Sequence, residues 1–248
     1  MSDAQKAPGK ILVVDDAPFI TIVYERILTK AGHKVYTSKN GAEAIWYALS
    51  ILPDVIILDI MMPTMDGIKT LLFLRQMKST REIPIVIVTS MADKATLMKA
   101  VEMGVNDFIA KPFKSRVLQE KLEALMAKSP RARDAQPEST PLDEIPIPDP
   151  GKTKNSLGSL FKNLQEVFIF LVEQVANQDK EELRKSLQKL GEQSERFGLN
   201  SLKKIIQELY QVIGREDWNR AIELLEKLFL LIRELRLKIQ TVQAGRSR

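Results

Sequence analysis

Four short apolar runs recur along the first half of the chain: Ile11-Leu12-Val13-Val14, Val55-Ile56-Ile57-Leu58, Ile85-Val86-Ile87-Val88 and Phe108-Ile109-Ala110. Amphipathic stretches of helical period separate them. Continuous β-branched runs of this kind predict strands buried on both faces, as in a parallel sheet. The pattern places strands near 10–15, 34–38, 54–59, 84–89 and 106–110, with helices near 17–31, 41–51, 66–77, 94–103 and 114–127. Right-handed crossovers then give an α/β doubly wound five-stranded parallel sheet with helices on both faces.

The second half has a different period. Residues 155–243 show helical spacing only, and predict four helices near 156–177, 180–196, 201–213 and 217–243. Candidate N-caps are Asn155 or Ser156, Asp179, Asn200 and Asp217; Gly198 and Gly214 mark stops. Short connections make neighbouring helices antiparallel, so a four-helix bundle is expected. Between the halves, residues 129–153 hold six of the chain's twelve prolines and few large apolar residues, which predicts an extended linker. The expected domains are therefore 1–128, 129–153 and 154–248.

Two bundle helices carry more apolar positions than one stripe requires. The last has Ala221, Leu225, Leu228, Ile232, Leu235, Ile239 and Val242 at alternating spacings of four and three, with Trp218, Ile222, Leu224, Phe229 and Leu231 beside that seam. The first has the run Val167-Phe168-Ile169-Phe170-Leu171-Val172. A second buried face is expected, and with it a homodimer through the bundle.

Composition narrows the chemistry. The 248 residues contain no cysteine, which removes disulfides, thiolate metal sites and cysteine nucleophiles. The single histidine, His33, falls in the turn before the second strand and reads as a solvated loop residue. No run approaches a membrane span, and Met1 to Lys10 lacks the apolar core of a secretory leader, so a soluble cytoplasmic protein is expected. The net charge of +5 is spread over both halves. Lys203-Lys204 and Arg246-Ser247-Arg248 read as solvated charges, and nucleic acid is an unlikely partner.

The polar residues that end the apolar runs carry the functional signal. Asp15 and Asp16 follow the first run, Asp59 the second, Thr89 the third and Lys111 the fourth. Carboxyl ends of parallel strands line the edge where ligands bind in open α/β folds. Three carboxylates gathered there repel one another unless a divalent cation sits among them, and an oxygen-only set suits Mg²⁺. A hydroxyl and an ammonium complete a phosphoryl-accepting constellation.

These residues, with the string Ile60-Met61-Met62-Pro63-Thr64-Met65-Asp66-Gly67 and the pairs Thr89-Ser90 and Lys111-Pro112, resemble the receiver domain of two-component response regulators over 8–128. The resemblance implies a flavodoxin-like fold with Asp59 as phosphoacceptor. It implies that Asp16, Asp59 and the Met61 carbonyl ligate Mg²⁺, with Asp15 reaching it through water. Lys111, held by a cis bond to Pro112, would contact phosphate, and Thr89 and Phe108 would form the switch pair. The donor would be a sensor histidine kinase or a phosphotransfer protein. Such a chain is no turnover enzyme; it catalyses its own phosphorylation and loses the phosphate. Met61 and Met91 stand where receivers flank the hydrolytic water, so slow loss is expected.

The bundle resembles a histidine phosphotransfer domain through Leu183-Arg184-Lys185-Ser186-Leu187-Gln188-Lys189-Leu190-Gly191-Glu192 and Phe197-Gly198-Leu199-Asn200-Ser201-Leu202. In that register the phosphorylated histidine falls on Gln188. Gly191 replaces the family's lysine and Glu192 its small glycine. A carboxamide cannot form a phosphoramidate. The implied function is a response regulator that signals to a downstream protein target through a degenerate phosphotransfer-like bundle. A DNA-binding transcriptional regulator and a phosphorelay intermediate are the alternatives.

Overall fold

The structure, a computed structural model, describes residues 8–90, 94–128, 157–196 and 199–246. Met91, the linker 129–153, Asn155, Ser156 and Gly198 lie outside the described residues, as do the side chains of Leu235, Ile239 and Val242. The chain divides into two compact units, Met1–Glu144 and Ile145–Arg248.

The first unit alternates strand and helix: β1 (Lys10–Val14), α1 (Pro18–Lys30), β2 (Lys34–Ser38), α2 (Gly41–Ile51), β3 (Val55–Leu58), α3 (Gly67–Gln76), β4 (Ile85–Thr89), α4 (Lys94–Glu102), β5 (Asp107–Ala110) and α5 (Ser115–Lys128). The five strands form one parallel sheet in the order β2-β1-β3-β4-β5. The central strands β3 and β4 are buried throughout and β1 almost so, whereas the edges β2 and β5 are partly exposed. That matches their sequences, continuous apolar runs inside and mixed ones at the rims.

Successive strand side chains point to opposite faces. On one face Ile11, Val13, Val55, Ile57, Val86, Val88 and Ile109 pack with Tyr24 and Leu28 of α1 and Leu118 and Leu122 of α5. The alternate residues, including Leu12, Ile56, Leu58 and Ile87, are equally buried on the other face. Side-chain caps fix two helix starts beside the carboxyl edge. Asn40 Oδ1 accepts the Glu43 N–H at 2.9 Å, and Asp66 Oδ1 accepts the Lys69 N–H at 2.8 Å.

The second unit holds α6 (Leu157–Asn177), α7 (Lys180–Arg196), α8 (Asn200–Gly214) and α9 (Trp218–Arg246). α6 packs on α7 and α9, and α8 packs on α7 and α9, which closes a four-helix arrangement. Asp179 and Asp217 cap α7 and α9 by accepting the N–H groups of Glu182 and Arg220. Among the described residues, no helix is long and apolar enough to cross a membrane.

Three sequence expectations are corrected here. Asn200 is not a cap. Leu199 occupies that position, its N–H tied back to the Ser194 carbonyl at 2.8 Å, and Asn200 becomes the first helical residue. Gly214 is the last residue of α8 rather than a left-handed cap beyond it; the left-handed turn residue is Glu216, at φ 58°.

The third correction concerns the apolar surplus. Phe168, Val172, Ile222, Leu224 and Phe229 are all buried inside the bundle, as are the seam residues Ala221, Leu225, Leu228 and Ile232. Phe168 and Phe229 meet edge-to-face with centroids 5.6 Å apart. Phe170 and Leu231 are half-buried. Each helix faces two neighbours, so it needs a stripe wider than one seam. Among the described residues, most of the named surplus is thus buried inside the monomer, which narrows the apolar face left for a dimer to half-buried positions such as Phe170 and Leu231.

Candidate functional site

The carboxyl ends of β1, β3 and β5 bring three of the five expected side chains, Asp15, Asp59 and Lys111, into direct contact, and β4 adds the Thr89 backbone. The ladder runs one residue past two of the strands. The Asp15 N–H donates to the Ser38 carbonyl at 3.2 Å and the Asp59 N–H to the Val14 carbonyl at 2.9 Å. This holds both aspartates rigidly at the edge. Asp15 is 3% exposed and Asp59 8%. Each commits one oxygen to the backbone: Asp15 Oδ1 accepts the Ala17 N–H at 3.0 Å, and Asp59 Oδ1 accepts the Met61 N–H at 3.2 Å. The other oxygen of each accepts from the same Lys111 ammonium, both at 2.6 Å.

Lys111 enters the site from the end of β5, where its own N–H donates to the Thr89 carbonyl at 2.9 Å. The Lys111–Pro112 bond is cis. Burial works to lower the Lys111 ammonium, but the hydrogen bonds and charges of Asp15 and Asp59 outweigh it and hold it above its ordinary value. Two buried carboxylates thus share one ammonium, which leaves the pocket with surplus negative charge.

Thr89 is buried and pairs in register with Ala110, while Phe108 pairs with Ile87. Residues two apart share a face, so Thr89 and Phe108 lie on one side of the sheet as diagonal neighbours on adjacent strands. Asp16 is not drawn in; it is exposed. Among the described residues no three of Asp, Glu, His or Cys are gathered into a ready-made metal cage. The donors nonetheless suit a hard cation: the Asp15, Asp16 and Asp59 carboxylates and the Met61 carbonyl are all oxygen, and the shared ammonium leaves charge for a divalent ion to offset.

The sequence did not single out Gly67 and Tyr24 near this site, nor Arg75 at the opposite edge of the sheet. A Cβ at Gly67 would lie 2.2 Å from the Asp59 carbonyl oxygen and 2.7 Å from Ile60 Cα, so only glycine lets α3 start this close to Asp59. Its place after Asp66 in the quoted string was the available signal. Arg75 ties the end of α3 to two loops by donating to the carbonyls of Arg81, Ile83 and Gly104 and to Asn106 Oδ1. Tyr24 lies 1% exposed in α1, its ring stacked on Phe113 with centroids 5.7 Å apart. His33 is corrected as well: it is half-buried, and its Nδ1 accepts the Gly9 N–H at 3.2 Å.

In the bundle, Gln188 is exposed on α7 and its Nε2 donates to Glu192 Oε1 at 3.1 Å. Among the described residues, no buried charge network like that of the first unit surrounds it.

Residues 11–123 match the family described as "Response regulator receiver domain". A chemotaxis protein CheY homolog of Campylobacter jejuni is 38% identical over 120 residues, covering 47% of this chain and 92% of the relative. The alkaline phosphatase synthesis transcriptional regulatory protein PhoP of Bacillus subtilis is 35% identical over 120 residues, covering 48% of this chain and 49% of that protein. The chain thus spans about half the length of such longer relatives. Among solved structures, the receiver domain of a sensor histidine kinase from Pseudomonas aeruginosa PAO1, described with a magnesium ion coordinated in its active-site cleft, is 30% identical. That match covers 49% of this chain and 100% of that one at a TM-score of 0.46.

Proposed function

This chain belongs to the response regulator receiver family, and from that membership we propose that it is a phosphorylation-dependent signalling switch of a two-component system with Asp59 as the phosphoacceptor. The observation that carries the reading is the shared ammonium: Lys111 donates to Asp15 and Asp59 at 2.6 Å each, in a buried pocket on the ligand-binding edge of the sheet.

Phosphoryl transfer to a carboxylate needs in-line positioning and neutralised charge rather than a strong nucleophile. Backbone N–H groups fix the orientation of both aspartates, and Lys111 supplies a positive charge beside the incoming phosphoryl group. Asp15, Asp16, Asp59 and the Met61 carbonyl would hold Mg²⁺, which would neutralise further charge on the phosphoryl oxygens. Once Asp59 is phosphorylated, the Thr89 hydroxyl turns toward the phosphoryl group, and Phe108 follows on the same face. The surface around α4, β5 and α5 changes as a result.

The donor is a sensor histidine kinase or a phosphotransfer protein, and the setting is cytoplasmic. The bundle is the output element and acts on a downstream protein target. We read it as a degenerate phosphotransfer domain, because Gln188 occupies the acceptor register and cannot carry phosphate. Self-association is not part of this reading, since most of the described apolar surplus is buried within the bundle. PhoP is named as a transcriptional regulator, but the family match here ends at residue 123 and gives no DNA-binding role to the bundle.

The test is direct. The full chain is incubated with Mg²⁺ and acetyl phosphate, and the adduct is mapped. Uptake on Asp59, lost in Asp59→Asn, is expected; equal uptake by Asp59→Asn refutes the assignment.

A further inference from the structure

A buried hydroxyl with no hydrogen-bond partner among the described residues lies within reach of the charges of Asp15 and Asp59. Tyr24 is 1% exposed, and its phenol oxygen has no partner among the described residues. Native proteins satisfy nearly all such groups, and an exception calls for a reason. Phenylalanine would keep the ring, the burial and the stack on Phe113 without the penalty of a desolvated hydroxyl.

The parity of the strands shows where this hydroxyl stands. Tyr24 belongs to the same buried cluster as Val13, Ile57 and Ile109. Two residues on from these come Asp15, Asp59 and Lys111, and residues two apart along a strand share a face. The three charged groups therefore continue the sheet face that this cluster covers. Phe113, which stacks on the ring at an interplanar angle of 23°, lies two residues past Lys111. The charges of Asp15 and Asp59 also reach the phenol: after burial, they are what pushes its proton affinity up. A phenol in that field stays protonated and is therefore a donor.

We propose that Tyr24 is a positioning residue for phosphoryl transfer, its hydroxyl donating to the Asp15 carboxylate when Lys111 moves onto the phosphoryl group. This rests on Asp59 being the phosphoacceptor. Before transfer, the Lys111 ammonium serves Asp15 and Asp59 together, and the Tyr24 hydroxyl is idle. The incoming phosphoryl group brings further negative charge that attracts the ammonium. Because Asp15 would reach Mg²⁺ only through water, its Oδ2, in a nearly closed pocket, then needs another donor, or it competes for Lys111 and holds the ammonium back. Tyr24 ends that competition. The unsatisfied hydroxyl of the resting protein is a stability penalty retained for the reacting state.

The test compares the full-length wild type with Tyr24→Phe in two measurements. The first is the urea midpoint of the unphosphorylated protein, read from Trp46 fluorescence in a Trp218→Phe background. The second is the rate of Asp59 phosphorylation against acetyl phosphate concentration with Mg²⁺. Removing an unpartnered hydroxyl should raise the midpoint, whereas losing a hydrogen bond to a charged group should lower the maximal uptake rate roughly tenfold. The half-saturating donor concentration should not change. Equal maximal rates overturn the proposal, and so does a slower rate accompanied by a lowered midpoint, which would mark a merely structural tyrosine. Absence of uptake by the wild type overturns the phosphoacceptor reading itself, and the wild-type measurement shows that separately.

Discussion

The receiver and the bundle bury polar groups in opposite ways. In the receiver, Asp15, Asp59 and Thr89 are buried at one sheet edge, and their partners come from strands far apart in sequence. In the bundle, the ion pairs are mostly local and exposed. Lys185 meets Glu181 and Glu182 one turn away, Arg220 meets Glu223, and Lys203 reaches across to Glu195. Among the described residues, the polar side chains buried in the bundle are Ser194, which donates to the Gly191 carbonyl at 2.7 Å, and Glu226. Burying charge is costly unless the groups are paired, so a cluster of buried charges at one edge marks where the chemistry is, whereas the bundle buries the single carboxylate of Glu226 among the described residues. The bundle's interior is an apolar packing problem, and its specificity belongs on its surface.

Replacing Lys111 by Met should break this contrast most severely. It leaves two buried carboxylates facing each other, and removal of one partner from such a group costs about 3 kcal/mol, the low end for a buried pair. The pH dependence has a definite sign. Lys111 is raised in the folded state, so its contribution is fully present below the ordinary lysine value of about 10.4 and fades as pH climbs through the raised value. The difference in urea midpoint between wild type and Lys111→Met should therefore be constant from about pH 7 to about pH 9 and shrink above about pH 10.4. A difference that grows with pH there would mean that Lys111 is not held charged by the aspartates. In the bundle, Lys203→Met should leave the midpoint unmoved, because that pair is exposed and screened.

Two glycines sharpen the comparison with opposite signs. A Cβ at Gly67 would strike the Asp59 backbone, so Gly67→Ala should cost about 1–3 kcal/mol and slow phosphorylation by displacing the acceptor. A Cβ at Gly191 would meet only Ile206 Cγ2, at an ordinary 3.9 Å, in the middle of α7. There Gly191→Ala should stabilise by about 0.5–1 kcal/mol. Urea unfolding read from Trp46 for the first and from Trp218 for the second separates the two units. Stabilisation by Gly67→Ala would show that α3 does not need its close approach to Asp59.

These contrasts also explain what the sequence made legible. Buried parallel strands are unbroken apolar runs, so β1, β3 and β4 and the polar residues ending them could be read directly. Lys111 and the two aspartates followed because strand ends in such a sheet converge. Tyr24 could not be read in this way. At a core-facing helix position a tyrosine looks like any large apolar residue, and only its unpartnered oxygen distinguishes it. The apolar surplus of α6 and α9 was misjudged for a related reason. Local period counts the apolar positions of one helix but not its neighbours, and here each helix has two. Asn200 failed as a cap because the Leu199 turn, a tertiary feature, moved the helix start by one residue.

The smallest expected effect tests the claim that the bundle has lost phosphate chemistry rather than merely lacking one side chain. Gln188 is exposed, so Gln188→His should change stability by less than about 0.5 kcal/mol. It should also gain nothing. A histidine there would stand one turn before Glu192, whose carboxylate already accepts from Gln188 Nε2 at 3.1 Å. That carboxylate would hold the imidazole and repel an approaching phosphoryl group, and no lysine at 191 offsets the charge. Incubating phosphorylated wild-type protein with Gln188→His should therefore yield no base-stable, acid-labile phosphate on the bundle. Adding Glu192→Gly removes the repulsion, and any uptake should appear only in that pair. Efficient uptake by Gln188→His alone would show that one side chain separates this bundle from a working phosphotransfer domain, and that Glu192 is no barrier.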